Sequence, residues 1–462
     1  MSIARMESAP RGMRILSTML GLVLGAVIAG NTWAAPDESM EDLRAEVQAL
    51  RLRLAEIETR LEKRQGEHNS RSGPEISVGG QYRINSYTAD NDQGEDNQTA
   101  SRVRIRQNLD LRFSEQLKTH LQFELGHTNH NRITTDEKIA VRHALIDYTL
   151  GNNTNFQAGI VPLSDDFGDT LFSADWDYNP LALSATIPLL GGSLRAFAGN
   201  LWEGDESNHD DDFVHYQLDY GIPLSEDSQL NLGASFATIE DINGESSPHI
   251  NYGIGSAHRL RDDLILRGFV MGSHTDRSLL GTRNDADGIA AKIELISDSG
   301  FALMVTTASG DSDGSGFLPI MALASTYGYW GYTGLLTVQG PTDTGFDGDA
   351  VNVSNNGFGL TTVQARYARR LTSSFGIHLA AGWFGNTDGP SGRDSTVGLD
   401  FLAMGTYRFN EILALDFGGA YARLGDSVSG YSNGVIGGAS FNQPLDKDRD
   451  KYAFFTRLQA EF

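Results

Sequence analysis

From Glu75 to the C-terminus, apolar and polar residues trade places at every second position. In "SRVRIRQNLDLRF", Val103, Ile105, Leu109, Leu111 and Phe113 alternate with Arg102, Arg104, Arg106, Asn108, Asp110 and Arg112. "STVGLDFLAMGTYRF" sets Val397, Leu399, Phe401, Ala403, Tyr407 and Phe409 on one side. "NEILALDFGGAYARL" does the same with Leu413, Leu415, Phe417 and Tyr421. Similar stretches cover 120–125, 213–220, 230–238, 289–296, 358–369 and 377–383. A period of two is that of a strand with one oily face and one wet face. The closing "KYAFFTRLQAEF" keeps it, with Tyr452, Phe454, Thr456, Leu458, Ala460 and Phe462 in one mostly apolar row.

The connections between these stretches have a rhythm of their own. Short polar turns ("SEQLK", "GNNTN", "LRDDL", "SDSG", "LTSS", "FNEI") alternate with long acidic loops rich in Gly and Asn, such as "DNDQGEDNQTAS" and "EGDESNHDDD". Short at one end and long at the other is the pattern of an up-and-down outer-membrane barrel. A soluble solenoid or propeller would show a repeated motif, and none is present. The expected fold is an all-β transmembrane barrel over 75–462, with about eighteen antiparallel strands and about sixteen as the alternative. A sheet in hydrocarbon cannot leave edge amides unpaired, so the last strand should pair with the first, near "EISVGGQYRINSYTA". Residues 310–357, with "GFLPIMALASTYGYWGYTGLLTVQG", are too apolar for a simple outer loop. They are expected to fold into or over the pore, the alternative being a hidden hairpin.

Ahead of the barrel the period changes. Met40, Leu43, Val47, Leu50, Leu54, Ile57 and Leu61 follow steps of three and four, a heptad seam with its a and d positions filled. Residues 35–65 are therefore expected to form a short coiled-coil helix, and 66–74, "GEHNSRSGP", a flexible linker. Within "RLAEIE", Arg53 takes g and Glu58 takes e, a short pattern similar to that of many three-stranded coiled coils. The other reading is a solvated helix that pairs with nothing. Further upstream, Arg5, Arg11 and Arg14 precede the apolar run "ILSTMLGLVLGAVIAG", then "NTWAAP". Basic, apolar, then small is the order of a secretory signal, here 1–34 with cleavage after Ala34. The apolar run is short for a spanning helix.

Composition narrows the functional classes. The chain of 462 residues has no cysteine, which removes disulfide frameworks and thiolate sites. A formal charge of −24 argues against nucleic acid as a partner. No nucleophile elbow, HExxH or Walker loop appears. A barrel of this size encloses an aqueous lumen unless something fills it, and no plug domain precedes it. The expected function is thus a homotrimeric porin passing small hydrophilic solutes by passive diffusion. An outer-membrane lipase or protease, and a structural tether to the cell wall, are the alternatives from other classes.

The exported heptad segment, the large barrel and the terminal Phe462 together resemble the trimeric porins with an N-terminal periplasmic coiled coil, such as sucrose porins and DcaP-type dicarboxylate porins. The resemblance is one of architecture, carried by the heptads and the C-terminal strand; it aligns no pore residue. It implies a bacterial outer-membrane location with the helix in the periplasm, contact with the lipid bilayer and lipopolysaccharide, and Phe462 as a signal read by the assembly machinery. A sugar-specific porin remains open beside one leaning toward anions such as carboxylates.

Candidate pore chemistry follows from strand parity. If Val103, Ile105 and Leu109 face lipid, then Arg102, Arg104 and Arg106 form an inward basic ladder. Guanidinium groups hold permanent charge and can hand carboxylates or phosphates along a groove. The same parity turns Arg195, Arg267, Lys292, Arg366, Arg408 and Arg457 inward, with Asp110, Glu124, Asp219, Glu294, Asp400 and Asp416. "SDDFGDTLFSADWDYNP" lies where the third outer loop belongs. Its Asp165, Asp166, Asp169, Asp175 and Asp177 either narrow the pore opposite the basic wall, remain in a solvated outer loop, or bind divalent ions that bridge lipopolysaccharide. No cofactor is expected. "GDSDGSG" and "TDTGFDGD" space Asp311, Asp313, Asp347 and Asp349 like calcium ligands, but lack the full EF-hand loop. His209 and His215 in "NHDDDFVH" are read as part of an exposed acidic loop.

Overall fold

The alternation resolves into eighteen strands, each antiparallel to its sequence neighbours, in a computed structural model. It describes residues 73–89, 98–126, 139–202, 213–240, 246–276, 285–310, 316–320, 330–336, 358–388, 392, 394–427 and 450–462. The first six strands are β1 (Glu75–Ala89), β2 (Gln98–Arg112), β3 (Leu117–Gly126), β4 (Ala140–Thr149), β5 (Asn155–Ile160) and β6 (Leu181–Leu189). The next six are β7 (Gly192–Trp202), β8 (Phe213–Ser225), β9 (Ser228–Glu240), β10 (Ser246–Arg261), β11 (Leu264–Thr275) and β12 (Ala286–Ser297). The last are β13 (Phe301–Ala308), β14 (Leu360–Arg370), β15 (Phe375–Gly385), β16 (Thr396–Arg408), β17 (Leu413–Leu424) and β18 (Lys451–Glu461).

The ring closes where the sequence requires it. β18 pairs with β1 from Gln81↔Glu461 to Ala89↔Ala453, so no edge is left open. Phe462 extends the seam by donating its N–H to the Gly80 carbonyl and accepting from the Gly80 N–H (3.1 and 2.8 Å). Its ring stacks on Tyr82 at 5.6 Å. Gly80 fits this corner because a Cβ there would stand 2.5 Å from the Arg106 carbonyl oxygen, a backbone atom that cannot swing away.

The outer face is the oily one. Ile84, Leu183, Leu218, Ile254, Val270 and Ile293 are all exposed, while their sequence neighbours Asn85, Ser184, Gln217 and Lys292 are buried inside. A closed sheet with an apolar exterior satisfies every backbone amide internally and presents lipid-compatible side chains, so this is a transmembrane barrel. Exposed aromatics band both ends, Tyr407, Phe409 and Phe417 near the short turns and Trp383, Tyr421 and Phe454 near the long loops. Such girdles sit at the two membrane interfaces.

β13 pairs directly with β14, so no strand stands between them in the wall and the hidden-hairpin alternative is set aside. The expected leader 1–34, the expected heptad helix 35–65 with seam residues Leu43, Val47, Leu50, Arg53, Leu54, Ile57, Glu58 and Leu61, and residues 66–72 of the expected linker lie outside the described residues. So do His209 and the calcium candidates Asp311, Asp313, Asp347 and Asp349.

Candidate pore constriction

Between β5 and β6 the chain turns into the barrel. Backbone bonds from Val161 to Pro180, Leu163 to Tyr178 and Asp165 to Phe172 form a two-stranded stem. At its tip Asp165 is buried and its carboxylate accepts the N–H groups of Phe167 (2.6 Å), Leu171 (2.5 Å) and Phe172 (3.0 Å). Burial pushes this carboxyl up to about 7, against the opposing pull of those three donors. Burial likewise raises Asp169, with the Ser164 hydroxyl acting in the other direction. Asp165 is therefore an internal staple of the loop rather than an acid presented to the pore.

The wall receives this loop through matched groups. Arg195 of β7 meets Asp166 at 3.2 Å and Asp219 of β8 at 2.7 Å. Asn231 of β9 donates to the Asp166 carbonyl at 3.0 Å. Phe167 lies over the inward glycines Gly233 and Gly255 and packs edge-on against Phe269 of β11 at 6.1 Å. Phe172 sits in a box of Tyr178, Phe197 and His215. His215 is fully buried, with Nδ1 bonded to the Tyr178 hydroxyl at 2.5 Å and Nε2 to Ser235 at 2.8 Å. The expectation of His215 in an exposed acidic loop fails because β8 begins at Phe213 and parity turns His215 inward.

At the returning limb, Asp177 adopts a left-handed conformation (φ 66°) that points its carboxylate at β2 and β4. Arg142 binds it at 2.6 Å and also donates to the Ala174 carbonyl, while Arg106 stands 3.7 Å away. Two consecutive residues, Arg142 and His143, reach the loop because the β3–β4 register slips between Gln122 and Phe123. Such a bulge places two residues opposite one and re-aims a side chain. From His143 a chain of side chains continues down the wall through His120 (3.4 Å) to Asp110 (2.6 Å).

A second loop enters from the opposite side, between β13 and β14. Leu318 N–H and carbonyl meet Ser273 and Asn251, and Ile320 N–H meets Asn251. Tyr332 bonds Glu294 through its hydroxyl and Gln364 through its N–H. Leu335 and Leu336 donate to one oxygen of the buried Asp400 at 2.8 and 2.7 Å. Phe317 and Trp330 (5.9 Å) join this loop to Phe269, which touches Trp330 at 6.5 Å and Phe167 of the first loop. The two loops thus share one aromatic bridge on the inner wall. Gly288 of β12 makes the contact possible, since a Cβ there would meet the Phe317 Cα at 2.2 Å. Gly288→Val should lever the second loop off the wall, raising single-channel conductance while the heat-modifiable barrel band on gels is retained.

The basic ladder lies on the remaining wall. Arg102 and Arg104 are buried and inward, and Arg104 faces Arg83 of β1 directly across the strands. Arg102 leans over the Tyr87 ring (5.4 Å) with no carboxylate in ion-pair reach among the described residues. Arg106 differs, since it is bound to Glu124. The other inward acids are largely matched, with Arg267 on Glu294 and Arg457 on Asp416. Of the five loop acids, Asp175 and Asp177 are exposed, Asp166 is half-buried on Arg195, and Asp165 and Asp169 are drawn into the loop's own interior. Parity reading missed Arg83, which shares the ladder's face by the same alternation in "GGQYRINSY", and Arg142, which the bulge conceals.

No protein-family model matches the chain, and no curated protein matches it. Among solved structures it is similar to OccK8 (OprE) of Pseudomonas aeruginosa, at 11% identity and a TM-score of 0.53, over 84% of this chain and 98% of that one. It is also similar to the outer membrane protein OprD of Pseudomonas aeruginosa, at 11% identity and a TM-score of 0.52, over 85% of this chain and 95% of that one. At this identity the likeness is one of fold, a barrel of outer-membrane type over nearly the whole of each relative.

Proposed function

We propose that the chain is an outer-membrane porin, a water-filled channel for passive diffusion of small hydrophilic solutes with a lean toward anions such as carboxylates. The observation that carries this reading is the division of the lumen. Described residues of two loops pack on the inner wall between β7 and β16, and buried guanidinium groups point inward from β1 and β2. Ion pairs such as Arg195–Asp219 and Arg457–Asp416 cancel one another at a distance, whereas Arg102 has no carboxylate within ion-pair reach among the described residues. Beyond about one Debye length, 8–10 Å, only such net charge is felt by a passing ion. Successive guanidiniums let a carboxylate exchange one partner for the next without returning fully to water.

An enzyme reading has less support. The Ser235–His215 pair is sealed at 2% and 0% exposure, so no substrate reaches it. In the proposed setting the chain is a homotrimer of porin barrels with the heptad helix in the periplasm as a clamp, contacts lipopolysaccharide through its outer loops, and offers Phe462 to the assembly machinery.

Single-channel recording of purified protein in planar bilayers tests the reading. Large steps in groups of three, with a reversal potential favouring anions under a salt gradient, are expected. A protein that inserts and does not conduct overturns it.

A further inference from the structure

Two imidazoles face each other on the inner wall beside the returning limb of the first loop. His120 of β3 and His143 of β4 bring Nε2 and Nδ1 to 3.4 Å, with ring centroids 5.5 Å apart and planes tilted by 40°. Both side chains are on the lumen side. His120 lies opposite Asp110, on the face that carries Arg106 and Asn108, and the slip in the β3–β4 register turns His143 to that face beside Arg142.

What each outer nitrogen touches decides where the ring hydrogens sit. An ionised Asp110 can only accept, so His120 Nδ1, 2.6 Å away, carries its hydrogen and Nε2 keeps a lone pair. His143 Nε2 stands 3.1 Å from Asn179 Oδ1, an acceptor, which places the hydrogen there and a lone pair on Nδ1. Two lone pairs then meet at 3.4 Å, which is repulsive unless they share a cation. The other tautomer of His143 would accept from Arg142 Nη1 at 3.2 Å and donate from Nδ1 to His120, closing a hydrogen-bonded relay. That last contact is long for such a relay, since a nitrogen donor ordinarily stands about 2.7–3.2 Å from its acceptor. Arg142 is moreover engaged by Gln122, Ala174 and Asp177.

The separation matches a shared metal ion. With metal–nitrogen bonds of about 2.0–2.1 Å and a tetrahedral angle, two imidazole nitrogens stand about 3.3–3.4 Å apart. Each outer nitrogen also meets an oxygen acceptor, the arrangement that fixes tautomer and ring orientation in a ligating histidine. Charge is favourable too. Glu124 matches Arg106 and Asp177 matches Arg142, which leaves the negative charge of Asp110 beside the pair. We propose that His120 and His143 form a binding site for a divalent transition metal of the Zn²⁺, Ni²⁺ or Cu²⁺ type, taken up from the lumen. Among the described residues no third His, Asp or Glu joins them, so water completes the coordination. The His120 side chain, 27% exposed, opens the site to the pore. Imidazole donors favour these ions over Mg²⁺ and Ca²⁺, which take oxygen ligands. Because Asn179 lies on the limb that returns to β6, an ion held here would brace that limb against β3 and β4. The inference rests on the geometry of the wall and not on conduction.

Titration of Zn²⁺ into the purified full-length protein in detergent, followed by calorimetry, tests the assignment. The chain has 11 histidines, so variants locate the site. His120→Gln and His143→Gln should each lose the tightest site while folded-barrel mobility on unheated gels persists. His274→Gln, which removes a lone imidazole from its contact with Asp287, should bind as the native protein does. One equivalent of Cu²⁺ should show nitrogen hyperfine structure from two imidazoles by electron paramagnetic resonance, and either variant should lose that pattern. Asp110→Asn keeps both ligands and should weaken binding about 10- to 100-fold. An affinity equal to the native one there overturns the role given to Asp110. No binding by the native protein, binding undiminished in H120Q/H143Q, or a Cu²⁺ signal from oxygen ligands alone overturns the site. A conducting protein that binds no metal overturns this site alone, whereas a protein that binds Zn²⁺ at the pair and does not conduct overturns the porin reading alone.

Discussion

Replacing Asp165 with alanine is expected to turn a steady pore into a wider, flickering one. The carboxylate holds the N–H groups of Phe167, Leu171 and Phe172 inside a loop tip that is itself buried. Hydrogen bonds to a charged group are worth about 1.5–3 kcal/mol each, and the orphaned donors then carry a desolvation penalty. Burial of the carboxylate offsets part of this, as its raised affinity for protons records. A net loss of about 3 kcal/mol lowers the ratio of docked to displaced loop on the order of a hundredfold. The strands keep their pairing, so folded-barrel mobility on gels should be unchanged. The same group predicts a pH dependence. Its carboxyl titrates at about 7 when docked and at the ordinary 3.8 when released, so between those values the docked loop holds a proton that the released loop gives up. Docking is then strongest on the acid side and weakens as pH rises through about 7. Current noise should grow from pH ~5.5 to pH ~8.5 in the native protein and lose that slope in Asp165→Asn. Noise and conductance identical to the native protein in both variants would refute the staple.

Much of this architecture is legible in the alternation itself. A period of two over β2 fixes which of Arg102 and Val103 looks inward, and lipid requires the sheet to close, so the pairing of β18 with β1 follows from sequence alone. The inward turn of Arg195, Glu294 and Asp400 is readable by the same rule. The rule fails wherever the register slips. At the bulge in β4 two successive residues serve the same loop, and no count by twos assigns Arg142 to Asp177. It also says nothing of contacts between distant segments. That Asp165 caps its own loop while Asp177 crosses to the wall depends on where 161–180 settles. That in turn depends on the space left by Gly233 and Gly255 and on the aromatic bridge through Phe269 to a loop far away in sequence. His215 is the instructive case, since the three preceding acids suggest a loop and only the strand's start at Phe213 reverses the reading.

The double variant R102E/R104E is expected to reverse the ion preference of the channel. Each substitution moves two units of charge, and both positions face inward on β2, where their side chains are buried. Among the described residues Arg102 meets the Tyr87 ring and hydroxyl and no carboxylate within ion-pair reach. Glu at 104 would stand directly across from Arg83 of β1. Arg106 belongs to the same ladder by sequence and to a different function by structure, because Glu124 neutralises it and Asp177 lies beside it. Arg106→Gln should therefore disturb the loop more than the field, giving noisier current with a nearly native reversal potential. Permanent guanidinium charge does not titrate in the working range, so the preference of the native channel should persist across neutral pH while the loop-dependent noise changes. Reversal potentials under a salt gradient decide the matter. If R106Q shifts them more than R102E/R104E, selectivity resides at the loop clamp and the ladder above it serves only to hydrate the wall.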